Sequence, residues 1–462
     1  MRTSIAIALR LLAATIAVAS IAAVAYRPDK AIRTATGVTA MTLCSDVFVS
    51  RLDPAVVFAQ AIAARPGGLG RLAGHMHYRV DHGSRQVSVD YRGHFANRAI
   101  YRDGLGCLLL QGPGSIDASL PAESAWPVPL LPEIAGPQII VPTDPRLRAA
   151  LDHVFAEPDQ PPHRWLRSVV VLKDGKVIAE RYAAGIGVDT PLLGYSASKS
   201  VISSLVGILV RRGRLKIDEP APVAAWQDAS DPRHAITLDN LLRITSGLAI
   251  AQTGSGFDPA SRMLYTERDM AAFAASQPLV RPLGTRFDYS DASTLIVSRI
   301  VRDAAGGHAA DVLGFARREL FAPLGMRSAM LQVDSTGTPV GSTSILASAP
   351  DWAKLGELYS RDGVVGGHRI LPEGWVRYSA TPTLGSDYGA GFWTAAGPDF
   401  SHDGIPREML FASGQFGQRV YIIPSRDVVI VRFGITEVWP DFDFHCDLQL
   451  IREVLARLPD RS

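Results

Sequence analysis

From Val201 to Val210 almost every position is apolar or small, and Arg211, Arg212 and Gly213 follow. That pattern predicts a helix buried nearly all round, with basic residues in its last turn and a glycine to end it. Upstream, Trp165 to Leu172 and Val177 to Tyr182 are apolar and β-branched on either side of Lys173-Asp174-Gly175-Lys176, a hairpin signal with Asp-Gly in the turn. From Ile217 to about Val340 the period becomes helical. Helices are expected from the Thr237 cap, over Thr266 to Ala275, Ser293 to Ala304 and Ala309 to Phe321, then over Pro350 to Arg361 and Pro372 to Ser379. The period switches back at Arg419 to Ile423 and Val428 to Phe433, strands around Pro424-Ser425-Arg426-Asp427, before an amphipathic helix over Asp443 to Leu458. Strands at both ends with helices between predict an α/β (α+β) domain: an antiparallel sheet flanked by helices, with an all-helical domain inserted at about 217–345.

The N-terminal third reads differently. Residues 27–42 show no regular pattern, Leu43 to Val49 alternates weakly as a strand would, and Pro54 to Ala64 reads as a short helix closed by Arg65-Pro66-Gly67-Gly68. Gly74 to Ala99 alternates around Asp81-His82-Gly83 and Arg92-Gly93, as strands joined by tight turns do. Eight prolines between 112 and 146 predict an extended linker lying over a surface, and Leu147 to Phe155 a short helix. The expected division is therefore an extension over 26–160 and a main domain over 161–462. Residues 1–25, with Arg2 before an Ala/Ile/Val/Leu-rich stretch and Ala23-Val24-Ala25 at its end, read as a signal peptide or membrane anchor, which places the protein outside the cytoplasm.

Composition narrows the function classes. A net charge of +2 without a basic run interleaved with aromatics speaks against nucleic acid. Three cysteines in an exported chain leave one disulfide and one spare thiol; Cys44 with Cys107 is the preferred pair, and Cys446 is expected to be buried and inert. His75 and His77, near His82 and His94, have no carboxylate or cysteine at ligand spacing, so ordinary strand positions are expected there rather than a metal site.

Three stretches carry candidate chemistry. Ser196 and Lys199 sit three residues apart at the head of the buried helix and so share one face. Burial disfavours a charged amine, so Lys199 is expected to be neutral at rest and able to take the Ser196 proton; the plainer alternative is a helix cap at Ser196 with Lys199 in water. Pro282-Leu283-Gly284 delivers Tyr289 just before the next helix, where it is either a proton carrier or a core tyrosine beside a capping Asp291. In Ala412-Ser413-Gly414-Gln415, glycine at a strand edge permits close substrate approach, and a backbone N–H there is suited to stabilising an oxyanion jointly with that of Ser196. By itself this stretch reads better as a glycine-rich turn before a strand.

Together the three resemble the penicillin-binding and class C β-lactamase-like serine hydrolases, whose Ser-x-x-Lys, Tyr-x-Asn and Lys-Thr-Gly motifs occur in this order. Ile236 to Leu248, Leu320 to Met326, Ile345 to Trp375 and Tyr388 to Trp393 add to the resemblance, which covers about residues 160–460. It implies a β-lactamase/transpeptidase-like fold and acyl-enzyme chemistry on Ser196 with Lys199 and Tyr289. It also implies an oxyanion hole from the N–H groups of Ser196 and Gln415, and a substrate edge at Asp291, Ser413 and Gly414. The resemblance implies no metal or organic cofactor and a small-molecule or peptide-like substrate, and the paired cysteine segments of exported members strengthen Cys44–Cys107. Asp291 stands where the family has asparagine, and Ala412 where it has lysine. Those departures turn the expectation away from an efficient β-lactamase and toward an amidase or esterase of the 6-aminohexanoate-dimer hydrolase type. The rival expectation is a slow or inactive sensor on the same fold. Asp291 also conflicts with a neutral Lys199, since a nearby carboxylate favours the ammonium.

Overall fold

A computed structural model of the chain describes residues 27–65, 67–112, 126–398, 400, 404–437 and 441–458. The segment 1–25 lies outside the described residues. No helix among them is long and apolar enough to cross a membrane.

Two expectations for the N-terminus are corrected at once. The stretch 27–42 is not irregular and Leu43 to Val49 is not a strand: Pro28–Cys44 forms helix α1, which widens into a π turn over Ser45–Val49. Thr34, Thr36, Thr39 and Thr42 lower the helical propensity and obscure the pattern. Tertiary contacts overrule them, because the Thr36 hydroxyl donates to the Phe95 carbonyl (2.8 Å) and Asn97 Nδ2 donates to Thr36 Oγ1 (2.8 Å). Asn97 lies in a four-stranded antiparallel sheet that α1 covers: β1 (Met76–Asp81), β2 (Gln86–Tyr91), β3 (His94–Arg102) and β4 (Gly106–Leu109), in that order. The disulfide joins Cys44 at the end of α1 to Cys107 in β4, with Cα atoms 6.0 Å apart, as the sequence suggested.

The proline-rich segment, described from Trp126, runs along a sheet edge. After helix α2 (Pro145–Phe155) come β5 (Leu166–Lys173) and β6 (Lys176–Tyr182). The β6 N–H groups of Val177 and Glu180 donate to the carbonyls of Ile134 (2.9 Å) and Ile140 (2.9 Å), so the linker closes an edge that would otherwise be open to other chains. Short strand β7 (Leu192–Leu193) precedes the buried helix α3 (Ser198–Arg211). The helical insert contains α4 (Asp291–Ala305), and beyond it come β8 (Met330–Leu331), β9 (Ile345–Ala347) and α5 (Ala349–Ser360). The chain then returns through β10 (Trp393–Thr394), β11 (Leu410–Gly414), β12 (Gln418–Ile423) and β13 (Val428–Gly434) to α6 (Asp441–Leu455).

The large sheet has the order β10-β11-β12-β13-β5-β6, antiparallel throughout, so the C-terminal strands pair with the hairpin that opens the domain. Both faces are covered, which explains why its strands are apolar almost continuously. Val170, Leu172, Val420, Ile422, Val429 and Val431 face the core shared with α3 and α5, while Val169, Val171, Tyr421, Ile423 and Ile430 face the terminal helices α2 and α6. In α3, Val201, Ile202, Leu205, Val206, Ile208 and Leu209 are at most 1% exposed, each worth about 1.5–3 kcal/mol of burial.

Helix limits differ from expectation where side chains cap. The helix expected over Thr266 to Ala275 starts only at Met270, because Asp269 caps it by accepting from Ala272 N, and a separate helix, Pro259–Thr266, precedes it. Thr237 and Asn240 form a reciprocal capping box, as the threonine suggested. Cys446 is half-buried on α6 rather than fully enclosed.

The N-terminal unit packs onto the main domain. Leu193, Tyr195, Leu346 and Phe416 join its hydrophobic core. Ser50 donates to the Pro191 carbonyl (2.6 Å), Gln332 Nε2 to Ser45 (2.9 Å), and Arg167 pairs with buried Asp46 (3.2 Å). Burial pushes the Asp46 carboxyl above the usual carboxylate range, with Arg167 opposing. Replacing Cys44 and Cys107 by serine opens a loop of 63 residues in separation. The change is expected to cost the N-terminal unit about 4 kcal/mol, read as an earlier urea-unfolding transition than that of the oxidised wild type.

Candidate active site

The buried helix begins at a tight elbow. Gly194 packs so closely on Trp352 that a Cβ would lie 2.4 Å from the indole, and its N–H donates to the Ile345 carbonyl (2.9 Å). Tyr195 follows in the left-handed region (φ 46°), a strained conformation for a bulky residue, and a single 3₁₀ turn over Tyr195–Ala197 leads into α3. The elbow lifts Ser196 to partial exposure while Ala197, Ser198 and Lys199 are buried. The Ser198 hydroxyl accepts from Ile345 N (3.1 Å), and the hydroxyls of Ser200 and Ser203 donate to the carbonyls of Gly391 (2.7 Å) and Ala390 (2.9 Å). These bonds satisfy the polar groups of an otherwise apolar helix.

Lys199 Nζ donates to Ser196 Oγ (3.2 Å), to the Ser342 carbonyl (3.2 Å) and to Asp291 Oδ1. Ser196 and Lys199 are thus in hydrogen-bond contact, as their spacing predicts. The expected neutral lysine, however, is corrected. Burial does act to lower the Lys199 pKa, but the Asp291 charge, the neighbouring Tyr289 and the hydrogen bond to Asp291 overcome it and raise the group above its ordinary value. Lys199 is an ammonium at rest, and a carboxylate at the asparagine position of the motif is the cause.

Asp291 is itself held. It is the first residue of α4, capped by Ser290, and it is buried. Its Oδ2 accepts from Gln252 Nε2 (2.9 Å), while its N–H donates to Gln252 Oε1 (2.7 Å). Gln252 is the residue that sequence reasoning missed; it lies in an irregular loop where no spacing marks it. Tyr289 stands beside the pair, its ring centroid 4.9 Å from Lys199 Nζ. Tyr388 and Trp393 complete an aromatic wall, with ring centroids 5.9 and 5.7 Å from that of Tyr289.

The third stretch closes the other side. Along β11, alternation turns Ala412 toward the core under α3, and Ser413 lies opposite Arg419 on β12. Gly414 meets the elbow backbone directly: a Cβ there would lie 2.1 Å from the Gly194 carbonyl oxygen. Exposed Gln415 follows, then Phe416 in the left-handed region (φ 64°), its ring edge-on to Tyr195 at 5.2 Å. Ser196, Lys199, Tyr289, Asp291, Gly414 and Gln415 therefore come from separate elements that meet at one elbow. A cleft lined by Tyr195, Tyr265, Thr343 and Ser344 among others opens beside it between α1 and the main domain. The histidines of the N-terminal sheet lie elsewhere, His77 near Asp90 (3.4 Å) and His75 near Arg92 (3.0 Å). Among the described residues no three His, Cys, Asp or Glu side chains cluster as metal ligands.

Comparison with known proteins gives a consistent result. The profile of the family described as Beta-lactamase matches residues 167–449. The 6-aminohexanoate-dimer hydrolase of Paenarthrobacter ureafaciens is 28% identical over 300 residues, covering 59% of this chain and 73% of that protein. Among solved structures, a penicillin-binding protein homologue from Caulobacter crescentus superposes with a TM-score of 0.54 at 19% identity, over 71% of this chain and all of its own. The hydrolase EstCE1 superposes at 0.51 with 16% identity, over 67% of this chain and 97% of its own.

Two outcomes follow from this geometry. Gly414→Ala must displace the Gly194 carbonyl, so labelling of Ser196 by a fluorophosphonate should fall at least about tenfold; unaltered labelling would show that the elbow tolerates a side chain there. Asp291→Asn leaves Lys199 buried without its anion, at a cost of about 3–5 kcal/mol at pH 7. Burial then sets the lysine pKa below its unfolded value, so the unfolded chain binds the extra proton and stability climbs with pH. The deficit against wild type should therefore shrink between pH 7 and pH 10 in urea unfolding, and a pH-independent deficit would contradict the pairing.

Proposed function

The chain belongs to the β-lactamase family of serine hydrolases, and we propose that it cleaves an amide or ester bond through an acyl-enzyme on Ser196. The observation that carries this reading is the 3.2 Å contact of Ser196 Oγ with Lys199 Nζ at a strained elbow that abuts Gly414. In the proposed first step Ser196 Oγ bonds to the substrate carbonyl carbon while its proton passes to the Tyr289 oxygen and the phenol's own proton moves on toward the leaving group. That phenol proton reaches the departing amine or alcohol as the scissile bond breaks, and the serine proton replaces it on Tyr289. Water repeats the sequence on the acyl-enzyme and releases the acid. Lys199, already protonated, does not accept the serine proton; it orients Ser196 and stabilises the negative charge that develops on the serine and tyrosine oxygens as the protons move. The N–H groups of Ser196 and Gln415 supply the oxyanion hole, one from each side of the Gly414 contact.

Both Asp291 oxygens are engaged, by Lys199 and by Gln252, so its role in this reading is to hold the lysine rather than to bind substrate. Ala412 leaves β11 without the family's lysine, and the 28% identity to 6-aminohexanoate-dimer hydrolase supports an amidase or esterase over an efficient β-lactamase. Export to a periplasmic or extracellular space, with a possible tether through residues 1–25, is also part of the proposal; the Cys44–Cys107 disulfide supports it, since such bonds persist in oxidising compartments.

A panel of short esters, amides and D-amino peptides, with a fluorescent penicillin, tests the assignment. Ser196→Ala should abolish turnover with the fold intact, and Tyr289→Phe should lower kcat by about 10²–10⁴. Turnover retained by Ser196→Ala would overturn the nucleophile, and a long-lived penicillin adduct without ester turnover would favour a sensor.

A further inference from the structure

Arg65 lies just past the short helix Pro54–Phe58 and the π turn Ala59–Ala63 that continues it in the N-terminal unit, outside the 167–449 span that matches the family. Its guanidinium carbon lies 4.4 Å from the centre of the Phe416 ring, and that ring meets Tyr195 at 5.2 Å. Phe416 adjoins Gln415 and Tyr195 adjoins Ser196, so the cation stands one residue from each half of the proposed oxyanion hole. Tyr195 and Tyr265, the two tyrosines coupled to this cation by charge, both line the cleft beside the elbow.

Arg65 has tyrosine hydroxyls for neighbours and no anionic partner among the described residues. Its Nε is buried without a hydrogen-bond acceptor. Burial lowers its pKa, offset only by the hydroxyls of Tyr195 and Tyr265, and a guanidinium nonetheless stays charged at neutral pH. A half-buried guanidinium whose Nε has no acceptor is suited to an anion that completes it. The main domain, meanwhile, has no lysine at Ala412.

We propose that Arg65 is a specificity-determining residue that binds a carboxylate carried by the substrate, so that the preferred substrates are esters or amides with a free acid group near the scissile bond. The N-terminal unit thereby supplies, from outside the family's own domain, the cation that β11 lacks. A planar guanidinium on an aromatic ring offers the paired N–H groups that a carboxylate accepts from. This inference rests on the hydrolase reading of Ser196, and the experiment separates the two.

The probes are the 4-nitrophenyl monoester of glutaric acid and its uncharged counterpart, the 4-nitrophenyl ester of pentanoic acid. Ser196-dependent turnover of the neutral ester tests the hydrolase reading alone. For Arg65, wild type should prefer the acid ester, and Arg65→Gln should reduce kcat/KM for the acid ester about 10- to 100-fold more than for the neutral one, chiefly through KM. Arg65→Lys should recover part of the preference, which a purely structural role would not. Equal losses on both esters, or no preference in wild type, would overturn the proposal. Binding gives a readout without turnover: in Ser196→Ala protein, calorimetry with glutarate should show affinity that the added Arg65→Gln change removes. Equal binding by the two variants would overturn it even if both esters were inert.

Discussion

The buried contact between Lys199 and Asp291 ties together the parts of the site. Lys199 sits at the head of α3, whose apolar sides lock it between the large sheet and the helical insert; Asp291 starts α4 in that insert. Neither charge could stay buried alone, so the pair fixes the distance between the two halves of the cleft. Gln252 holds the free side of Asp291, and the Ser342 carbonyl accepts a second hydrogen bond from Lys199 Nζ, which leaves the remaining donor aimed at Ser196.

That arrangement redistributes roles among familiar residues. With the lysine charged, its contribution is electrostatic and positional, and proton transfer falls to Tyr289 in the mechanism proposed. The strain at Tyr195 and Phe416 is held by packing: both side chains belong to a core completed by the N-terminal unit. The extension is therefore structural support for the elbow, and Arg65 extends its reach to the rim.

Much of this was legible in the sequence because it rests on local patterns. The β5–β6 hairpin, the buried helix and the paired C-terminal strands each follow from apolar period and turn residues, and Ser196 with Lys199 from helical spacing. What failed to show has physical reasons. Helix α1 is rich in threonine and stabilised by distant partners such as Phe95 and Asn97, so its own residues do not announce it. The lysine's charge depends on an aspartate ninety-two positions away, a contact that burial reasoning on α3 alone misjudges. Gln252 and Arg65 act through tertiary position, one in an irregular loop and the other at a helix end, and no motif marks either.

The most direct test of this account is the protonation of Lys199 itself. In protein labelled with ¹³C at lysine Cε, the Lys199 signal, identified by its loss in Lys199→Met, can be followed by NMR as pH rises. The account predicts the ammonium shift at neutral pH, persisting through pH 10; a titration near or below pH 8 would contradict it and restore the neutral lysine as base.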